Sequence, residues 1–294
     1  MKKLAKSIKR VGLIGNSEKV SCSSLIAKAA RLISRSGRRV YCDATTARMA
    51  GLKTGVLPDA ASLAQEVDLL LVFGGDGTML RAASEIAGSR TPILGINVGG
   101  LGFLTAVSSN EMVRALRQIW SGDFSLESRA LIDVTGRCCG RLIQKCALND
   151  FVVSRGIVSR LITLEVSVDG EPLTAYRCDG LIISSPTGST AYSLSAGGAV
   201  VYPTANVFEI TPICPHTLSN RSVIVSLDSK IQIRVVNPKP ETILSADGQG
   251  VSEMTAGDTV IIQRSRNSVR LLHLDGSSFF DTLRRKLHWS GANV

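Results

Sequence analysis

The sequence predicts a doubly wound α/β region followed by a β-rich region of stacked sheets. Strand patterns alternate with amphipathic helix patterns as far as about Asp123. After about Ser128 the hydrophobic period becomes strand-like and remains so to Leu274. Two glycine-rich turns follow strands of the first region, and ligands of open parallel sheets bind at such ends. We therefore predict domains at residues 1–127 and 128–274, with a helix in 275–294 that returns to the first domain.

The elements of the first region follow one another as strand and helix patterns. Strands are predicted at Val11–Ile14, Val40–Asp43, Leu69–Phe73 and Pro92–Asn97, and helices at Ser23–Ser36 and Thr78–Ile86. Ser108 and Glu111 have the spacing of a capping box, and they open a third helix that ends at Gly122. The run from Leu69 to Phe73 is apolar throughout, as in a parallel strand covered on both faces. Repeated βα units of this kind build a mostly parallel sheet.

The second region is predicted to consist mainly of antiparallel strands. Ile162–Val168 alternates apolar and polar residues, and Asp169-Gly170 is a hairpin turn signal. Further strand patterns lie at Val223–Val225, Ile231–Val235, Thr242–Ser245, Thr259–Gln263 and Val269–Leu274. One helix, beginning near Thr187, interrupts them. The amphipathic tail Phe279–Leu287 predicts the returning C-terminal helix.

The composition excludes several classes of protein. The net charge of +10 is spread along 294 residues with only 4% aromatics, so small polyanions are favoured over nucleic acid as ligands. No apolar run is long enough to span a bilayer, and the basic start lacks the apolar core of a signal peptide. Seven scattered cysteines without a C-x-x-C pair indicate neither disulfides nor a zinc site. We expect a cytoplasmic protein with no membrane or nucleic-acid partner and no metal ligands of its own.

The first candidate site is the turn Gly74-Gly75-Asp76-Gly77-Thr78. It lies between an apolar strand and a helix, where glycines let a ligand approach the backbone and the helix N-terminus favours phosphate. A carboxylate in an anion-binding site is energetically unfavourable unless it has a function there. Asp76 is placed to accept a proton from a hydroxyl that attacks a phosphate. The alternative interpretation is an ordinary βα turn in which Asp76 caps the helix.

The second candidate site is the segment from Tyr176 to Gly198. Small hydroxyl residues surround Arg177, Asp179 and Tyr192 there. Small side chains admit a ligand closely, hydroxyls donate and accept hydrogen bonds, and an aspartate can accept ribose hydroxyls. The alternative is a capped helix that follows a strand, with Asp179 and Gly180 in a turn.

Together these segments resemble the ATP–NAD kinase family over roughly residues 11 to 289. The resemblance depends on six motifs in this order: Gly74-Gly75-Asp76-Gly77-Thr78, Asn97 with Gly99–Phe103, Leu148-Asn149-Asp150, Asp179-Gly180 with Thr187–Gly198, Thr211–Leu218, and Asp247-Gly248-Gln249. The first motif alone is shared with lipid kinases and phosphofructokinases, whereas the block from Asp179 to Gly198 is specific. The family more often has Asn-Glu where this chain has Asn149-Asp150.

The resemblance implies transfer of a phosphate from ATP to the 2′-hydroxyl of the adenosine ribose of NAD, which gives NADP. It implies that Asp76 is the general base, that Gly74, Gly75, Gly77 and Thr78 form the phosphate loop, and that Arg81 steadies phosphate charge. The implied NAD contacts are Asp76, Gly77, Arg81, Asn149, Asp150, Arg160, Arg177, Asp179, Thr190, Ala191, Tyr192, Ser193, Leu194, Ser195 and Gln249. A divalent metal, Mg²⁺, is expected to arrive with ATP, and the family's homo-oligomers imply a dimer or tetramer.

Other functions stay open on the sequence alone. The chain could bind NAD as a sensor or oxidoreductase, although Gly12 and Gly15 do not form the G-x-G-x-x-G pattern. It could be a lipid or sugar kinase, or a basic nucleic-acid-binding protein. Polyphosphate could replace ATP as donor, and NADH could replace NAD as acceptor. We interpret His216 as a buried histidine with satisfied hydrogen bonds.

Overall fold

The computed structural model describes residues 2–53, 55–105, 107–156, 160–216, 221–236 and 241–289. By internal contacts the chain divides into unit 1, Met1–Ser128 with Val269–Val294, and unit 2, Arg129–Ser268. Thr217 and Leu218 of the fifth motif lie outside the described residues. No helix in the described part of the chain has the length and apolar character needed to cross a membrane.

Unit 1 is built on a parallel sheet. Its strands are β1 Arg10–Gly15, β2 Arg39–Asp43, β3 Val56–Leu57, β4 Leu69–Gly74, β5 Ile93–Asn97 and β6 Val107–Ser108. Its helices are α1 Lys2–Ser7, α2 Val20–Arg35, α3 Ala44–Ala50, α4 Ala60–Glu66, α5 Asp76–Glu85, α6 Met112–Ser121 and, near the end of the chain, Phe279–Leu287. The strand order is β5-β4-β1-β2-β3, and β6 pairs with β5.

Helices cover both faces of this sheet. Leu69, Leu71 and Phe73 of β4 share one buried cluster with α2 and α6. On the opposite face α4 lies so close that a Cβ added at Gly12 would meet the side chain of Leu63 at 3.2 Å. The predicted doubly wound α/β architecture is therefore confirmed. The predicted capping is also present, since Glu111 Oε2 accepts hydrogen bonds from the backbone N–H and the hydroxyl of Ser108.

Unit 2 is built from two sheets. Its strands, of which β7 begins and β18 ends in unit 1, are β7 Phe124–Cys138, β8 Arg141–Ala147, β9 Asp150–Arg155, β10 Ile162–Val168, β11 Glu171–Cys178, β12 Gly180–Ser184, β13 Val207–Ile213, β14 Val223–Ser226, β15 Ile231–Val235, β16 Thr242–Ala246, β17 Gln249–Met254 and β18 Thr259–Leu274. One sheet has the order β11-β10-β15-β18, with β7 beside β18 and β8. The antiparallel second sheet has the order β14-β13-β12-β9-β16-β17. The two sheets share one buried apolar cluster, as the stacked-sheet prediction requires.

Three local features complete the description. The predicted hairpin joins β10 to β11, and Asp169 and Gly170 both have positive φ there, at 53° and 87°. The helix predicted near Thr187 is a 3₁₀ turn, Gly188–Thr190, followed by the four-residue helix α7, Tyr192–Ser195. The C-terminal helix, which becomes α8, follows residues 269–274 of β18, and these belong to unit 1 because Leu271 pairs with Ile93.

Candidate active site

The sheet of unit 1 brings three turns to one edge. Strands β5, β4 and β1 are parallel neighbours, so the turns that follow them emerge at their carboxyl ends, side by side. Asn16, after β1, donates from Nδ2 to Thr78 Oγ1 at 3.2 Å in the turn after β4. Lys19 donates from Nζ to the carbonyl of Val98, after β5, at 2.9 Å. The two glycine-rich turns therefore lie together with a third turn that carries a lysine.

Asp76 is the first residue of α5 and binds the second glycine-rich turn. Its Oδ2 accepts from the backbone N–H of Phe103 at 2.8 Å. Its Oδ1 accepts from the backbone N–H groups of Leu104 and Thr105, at 3.0 and 3.2 Å, and from the Thr105 hydroxyl at 3.1 Å. The N-cap of α5 is Gly75, without a side-chain bond. Asp76 therefore does not cap its own helix but joins the two turns.

Glycine is required at specific points of these turns. A Cβ at Gly102 would lie 2.0 Å from Asp76 Oδ1, and a Cβ at Gly74 would lie 2.2 Å from Thr78 Oγ1. By contrast, a Cβ at Gly77 or Gly100 would meet nothing within 4 Å. Gly102 therefore permits the approach of the second turn to Asp76, while Gly77 borders open space of the kind a phosphate needs.

Two further side chains stand at this edge. Arg81 is half-buried, and it donates from Nη2 to the carbonyl of Gly15 at 3.4 Å, at the end of β1. The buried amide of Asn97 donates from Nδ2 to the Gly100 carbonyl at 2.6 Å and to Thr105 Oγ1 at 2.7 Å. Arg81 is thus held next to the turns rather than free in solvent, and Asn97 fixes the shape of the second turn.

In unit 2 the Leu148-Asn149-Asp150 motif forms a turn held by Asp247. Asp247 accepts backbone N–H groups of all three residues, at 2.9 Å for Leu148, 2.7 Å for Asn149 and 3.3 Å for Asp150. On the other side Ser185 donates from its backbone N–H to the Asn149 carbonyl at 2.8 Å. This clamp follows from the sheet order, because β9 lies between β12 and β16. Asp247 therefore fixes the position of the Leu148-Asn149-Asp150 turn, a role that the sequence alone did not indicate.

Asp150 is buried beside Asp247, and the environment favours its neutral form. Burial, with a smaller contribution from the Asp247 charge, raises the pKa of Asp150 to about 7. Burial also raises the pKa of Asp247, although the three backbone N–H groups oppose this. At neutral pH the turn therefore holds a carboxyl group that can either donate or accept a hydrogen bond.

This raised pKa predicts a pH-dependent stability. Between about pH 4 and pH 7 the Asp150 carboxyl binds more protons in the folded than in the unfolded chain, so the free energy of unfolding should fall as the pH rises through this window. Asp150→Asn stays neutral and should reduce that fall. Denaturant titrations at pH 5 and pH 8 measure this change in the free energy of unfolding. The variant Glu171→Gln, at an exposed residue, is the control. An equal fall in wild type and Asp150→Asn would show that the buried carboxyl does not titrate in this range.

Arg177 and Asp179 do not form an ion pair with each other. Asp179 Oδ1 instead accepts from Arg155 Nε at 2.7 Å, and both side chains are about 30% exposed. Arg177 is exposed on β11, and its carbonyl accepts the backbone N–H of His216 at 2.9 Å. The interpretation of His216 as buried is wrong: it is exposed, because the chain turns outward after β13 at Cys214, which has a φ of 45°.

The segment from Thr190 to Ser195 is anchored through its one buried residue. Ser193 donates to buried Glu209 at 2.8 Å and lies 2.9 Å from the Thr211 hydroxyl. Tyr192 is 48% exposed, so its ring does not pack into the core. The remaining residues, Thr190, Ala191, Leu194 and Ser195, are partly or fully exposed. Arg160 and Gln249 are exposed as well. Among the described residues, no group of three or more His, Cys, Asp or Glu side chains is arranged to hold a metal.

Comparison with known proteins agrees with these motifs. Residues 11–124 match the model of the ATP-NAD kinase N-terminal domain, and residues 148–274 match that of the ATP-NAD kinase C-terminal domain. The chain is 37% identical to the NAD kinase of Methylibium petroleiphilum over 98% of this chain and 97% of that protein. It is 47% identical to the NAD kinase of Symbiobacterium thermophilum over 76% of this chain and 79% of that protein.

Solved structures show the same architecture. A crystal structure of yeast NADH kinase complexed with NADH superposes with a TM-score of 0.87 at 25% identity, covering 97% of this chain and 89% of that one. An NAD kinase from Archaeoglobus fulgidus in complex with ATP shares the fold with a TM-score of 0.73 at 24% identity. The match covers 96% of this chain and 100% of that one. With both domain models matched and relatives similar over nearly the whole chain, this chain belongs to the ATP-NAD kinase family.

Proposed function

We propose that this chain transfers the terminal phosphate of ATP to the 2′-hydroxyl of the adenosine ribose of NAD and so produces NADP. Membership of the family and the relatives named NAD kinase support this activity. One observation of the site carries it. Asp76 begins a helix at the meeting of two glycine-rich turns, where a carboxylate can take the proton of an attacking hydroxyl.

The Asp76 carboxylate accepts four hydrogen bonds, but three of them go to Oδ1 and only that of the Phe103 N–H goes to Oδ2. Oδ2 therefore keeps an open acceptor position. We propose that the substrate hydroxyl binds there, while the backbone N–H groups stay in place. Those N–H groups would then hold the carboxylate in line with the 2′-oxygen. Phosphoryl transfer of this kind depends mainly on such positioning and on neutralising charge.

The donor is proposed to bind at the first glycine-rich turn. Gly74, Gly75 and Gly77 supply backbone without side chains, Thr78 lies at the start of α5, and Arg81 adds a positive charge. ATP is proposed as donor, with polyphosphate as a possible replacement. A kinase of this family uses a divalent ion that comes with the nucleotide, and we propose Mg²⁺ as that part of the substrate.

Unit 2 is proposed to supply the NAD contacts. The clamped turn at Asn149 and Asp150 can meet adenine and ribose groups with one amide and one carboxyl. Arg177, Asp179 and the segment from Thr190 to Ser195 provide charge, hydroxyls and an exposed aromatic ring. Arg160 and Gln249 complete the set. An oxidoreductase of the dinucleotide-binding class would use a G-x-G-x-x-G turn after its first strand, a pattern that Gly12 and Gly15 do not form.

We further propose that the protein acts in the cytoplasm as a homodimer or homotetramer. All seven cysteines are free thiols, which suits a reducing compartment. Closed symmetric association is the usual form of such oligomers.

The activity is tested by incubating the purified protein with NAD and MgATP and measuring NADP with an NADP-specific dehydrogenase. Parallel reactions contain NADH as acceptor, polyphosphate as donor, or a lipid or sugar in place of NAD. NADP formation that needs both substrates is the expected result. Phosphorylation of the lipid or sugar with NAD untouched would contradict the proposal.

Tyr192→Ala should weaken NAD binding with little change in kcat. Loss of stacking on one base costs about 1–3 kcal/mol, so the KM for NAD should rise roughly 5- to 150-fold. An interaction made equally in the ground and transition states changes KM alone. Tyr202→Ala is the matched control, since that tyrosine is equally exposed and outside the proposed contacts. An unchanged KM for NAD in Tyr192→Ala would remove this segment from the NAD site.

A further inference from the structure

We propose that the ammonium group of Lys19 binds the phosphate chain of the donor nucleotide. This inference rests on the proposed function, and it adds to the site a residue that no motif of the sequence includes. The argument depends on the position of Lys19, its surroundings and its charge.

Lys19 comes from the turn between β1 and α2. Because β1 pairs in parallel with β4, and β4 with β5, this turn lies at the same sheet edge as both glycine-rich turns. The backbone N–H of Lys19 donates to the Asn16 carbonyl at 3.3 Å, which makes the turn tight. Asn16 in turn holds Thr78. One end of the turn is therefore joined to the proposed phosphate loop through Thr78, and the Lys19 end is joined to the second glycine-rich turn through Val98.

The Lys19 ammonium lies next to glycines of both turns. A Cβ added at Gly99 would be 3.4 Å from Nζ, and a Cβ added at Gly75 would be 3.8 Å away. These glycines leave the space around the ammonium open on the side of the turns. Any larger side chain at Gly99, which has a φ of 141°, would be strained and would approach Nζ.

The charge of Lys19 has no acidic partner in the part of the chain that the structure describes. Its Nζ donates to the Val98 carbonyl at 2.9 Å, and an ammonium has two further donors. Lys19 is only half-exposed, so its charge is less screened than that of a surface lysine. A half-buried cation beside two glycine turns suits a polyanion, and lysine binds phosphate as a point charge.

In the reaction Lys19 would neutralise negative charge on the donor. The loose transition state spreads charge over phosphate oxygens, and a fixed cation stabilises it. Lys19 would take no proton in the step; the ribose hydroxyl gives its proton to Asp76, its oxygen bonds to the terminal phosphorus, and ADP leaves. Lys19 and Arg81 would thus act on the same phosphate chain from the turn after β1 and from α5.

Kinetics of three variants test the proposal. One charge-assisted hydrogen bond contributes about 1.5–3 kcal/mol, so Lys19→Gln should lower kcat/KM for ATP roughly 10- to 150-fold while the KM for NAD stays within about twofold. Lys19→Arg keeps the charge and should recover part of the loss. Lys28→Gln removes an exposed lysine of α2, the helix that follows Lys19, and should match wild type. An unchanged kcat/KM for ATP in Lys19→Gln, or a loss of activity that appears as a rise in the KM for NAD, would overturn the proposal.

A second measurement uses the wild-type chain and needs no catalysis. Limited acetylation by acetic anhydride is followed at each lysine by mass spectrometry, with and without inorganic tripolyphosphate. Protection of Lys19, with Lys28 unchanged as internal reference, is the expected result. If tripolyphosphate protects Lys19 from acetylation but the protein makes no NADP, the phosphate site is supported and only the proposed acceptor is overturned. Equal acetylation of Lys19 with and without tripolyphosphate would overturn the lysine proposal itself.

Discussion

Asp76→Asn should lower kcat by about 10²–10⁴-fold, the usual contribution of a placed general base. Asparagine keeps the shape of the side chain but cannot accept the proton of the ribose hydroxyl. NAD binding should persist, because the proposed adenine and ribose contacts lie in unit 2. Single-turnover rates at saturating MgATP and NAD, with NAD affinity measured by calorimetry, give both quantities.

Asp76→Asn also disturbs the second glycine-rich turn, since an amide nitrogen cannot accept the N–H of Phe103. Thr105→Ala separates the two effects. It removes one of the four hydrogen bonds to Asp76 and leaves the carboxylate in place. We expect Thr105→Ala to retain turnover within about tenfold, the equivalent of one ordinary hydrogen bond. Comparable turnover in wild type and Asp76→Asn would show that this carboxylate has a structural role only.

Gly102→Ala should reduce activity severely, although the substituted residue carries no chemistry. The new Cβ would lie 2.0 Å from Asp76 Oδ1 and 2.4 Å from Thr105 Oγ1, so the turn and the carboxylate must separate. Overpacking of this kind costs typically about 1–3 kcal/mol. We expect a similar loss in transition-state stabilisation, roughly 5- to 150-fold in kcat, and a lower melting temperature by calorimetry.

Gly100→Ala is the matched control, because it lies in the same turn and its added Cβ would meet nothing within 4 Å. Its activity and melting temperature should stay close to those of wild type. If Gly100→Ala and Gly102→Ala lose activity equally, the turn needs flexibility at every glycine. The close contact with Asp76 would then not be the reason for the loss.

Much of the fold could be predicted because it depends on patterns near in sequence. The apolar run Leu69–Phe73 and the alternation in Ile162–Val168 are both present as strands with the expected burial. The turn signal Asp169-Gly170 fixes a hairpin by local backbone conformation alone. The helices α3 and α4 were not predicted, because seven residues span only two turns and show little periodicity.

The contacts of the candidate site could not be predicted in the same way. Asp76 and Phe103 are 27 positions apart, and Asp247 and Asn149 are 98 apart. Such pairs meet only through the order of strands in a sheet. For the same reason Arg155 rather than Arg177 pairs with Asp179: β9 and β12 are neighbours, and their registers place the two side chains together. Lys19 lies in a short polar turn whose composition alone indicates no ligand.

Transfer of label from γ-³²P-ATP to NAD, compared with NAD that lacks the 2′-hydroxyl of its adenosine ribose, tests the central claim most directly. The account predicts labelled NADP from NAD and no labelled product from the 2′-deoxy analogue, which retains the other hydroxyl groups. The analogue should still compete with NAD for binding. Label on the analogue, or label on NAD at any other position, would contradict the claim that this site directs phosphate to the 2′-oxygen.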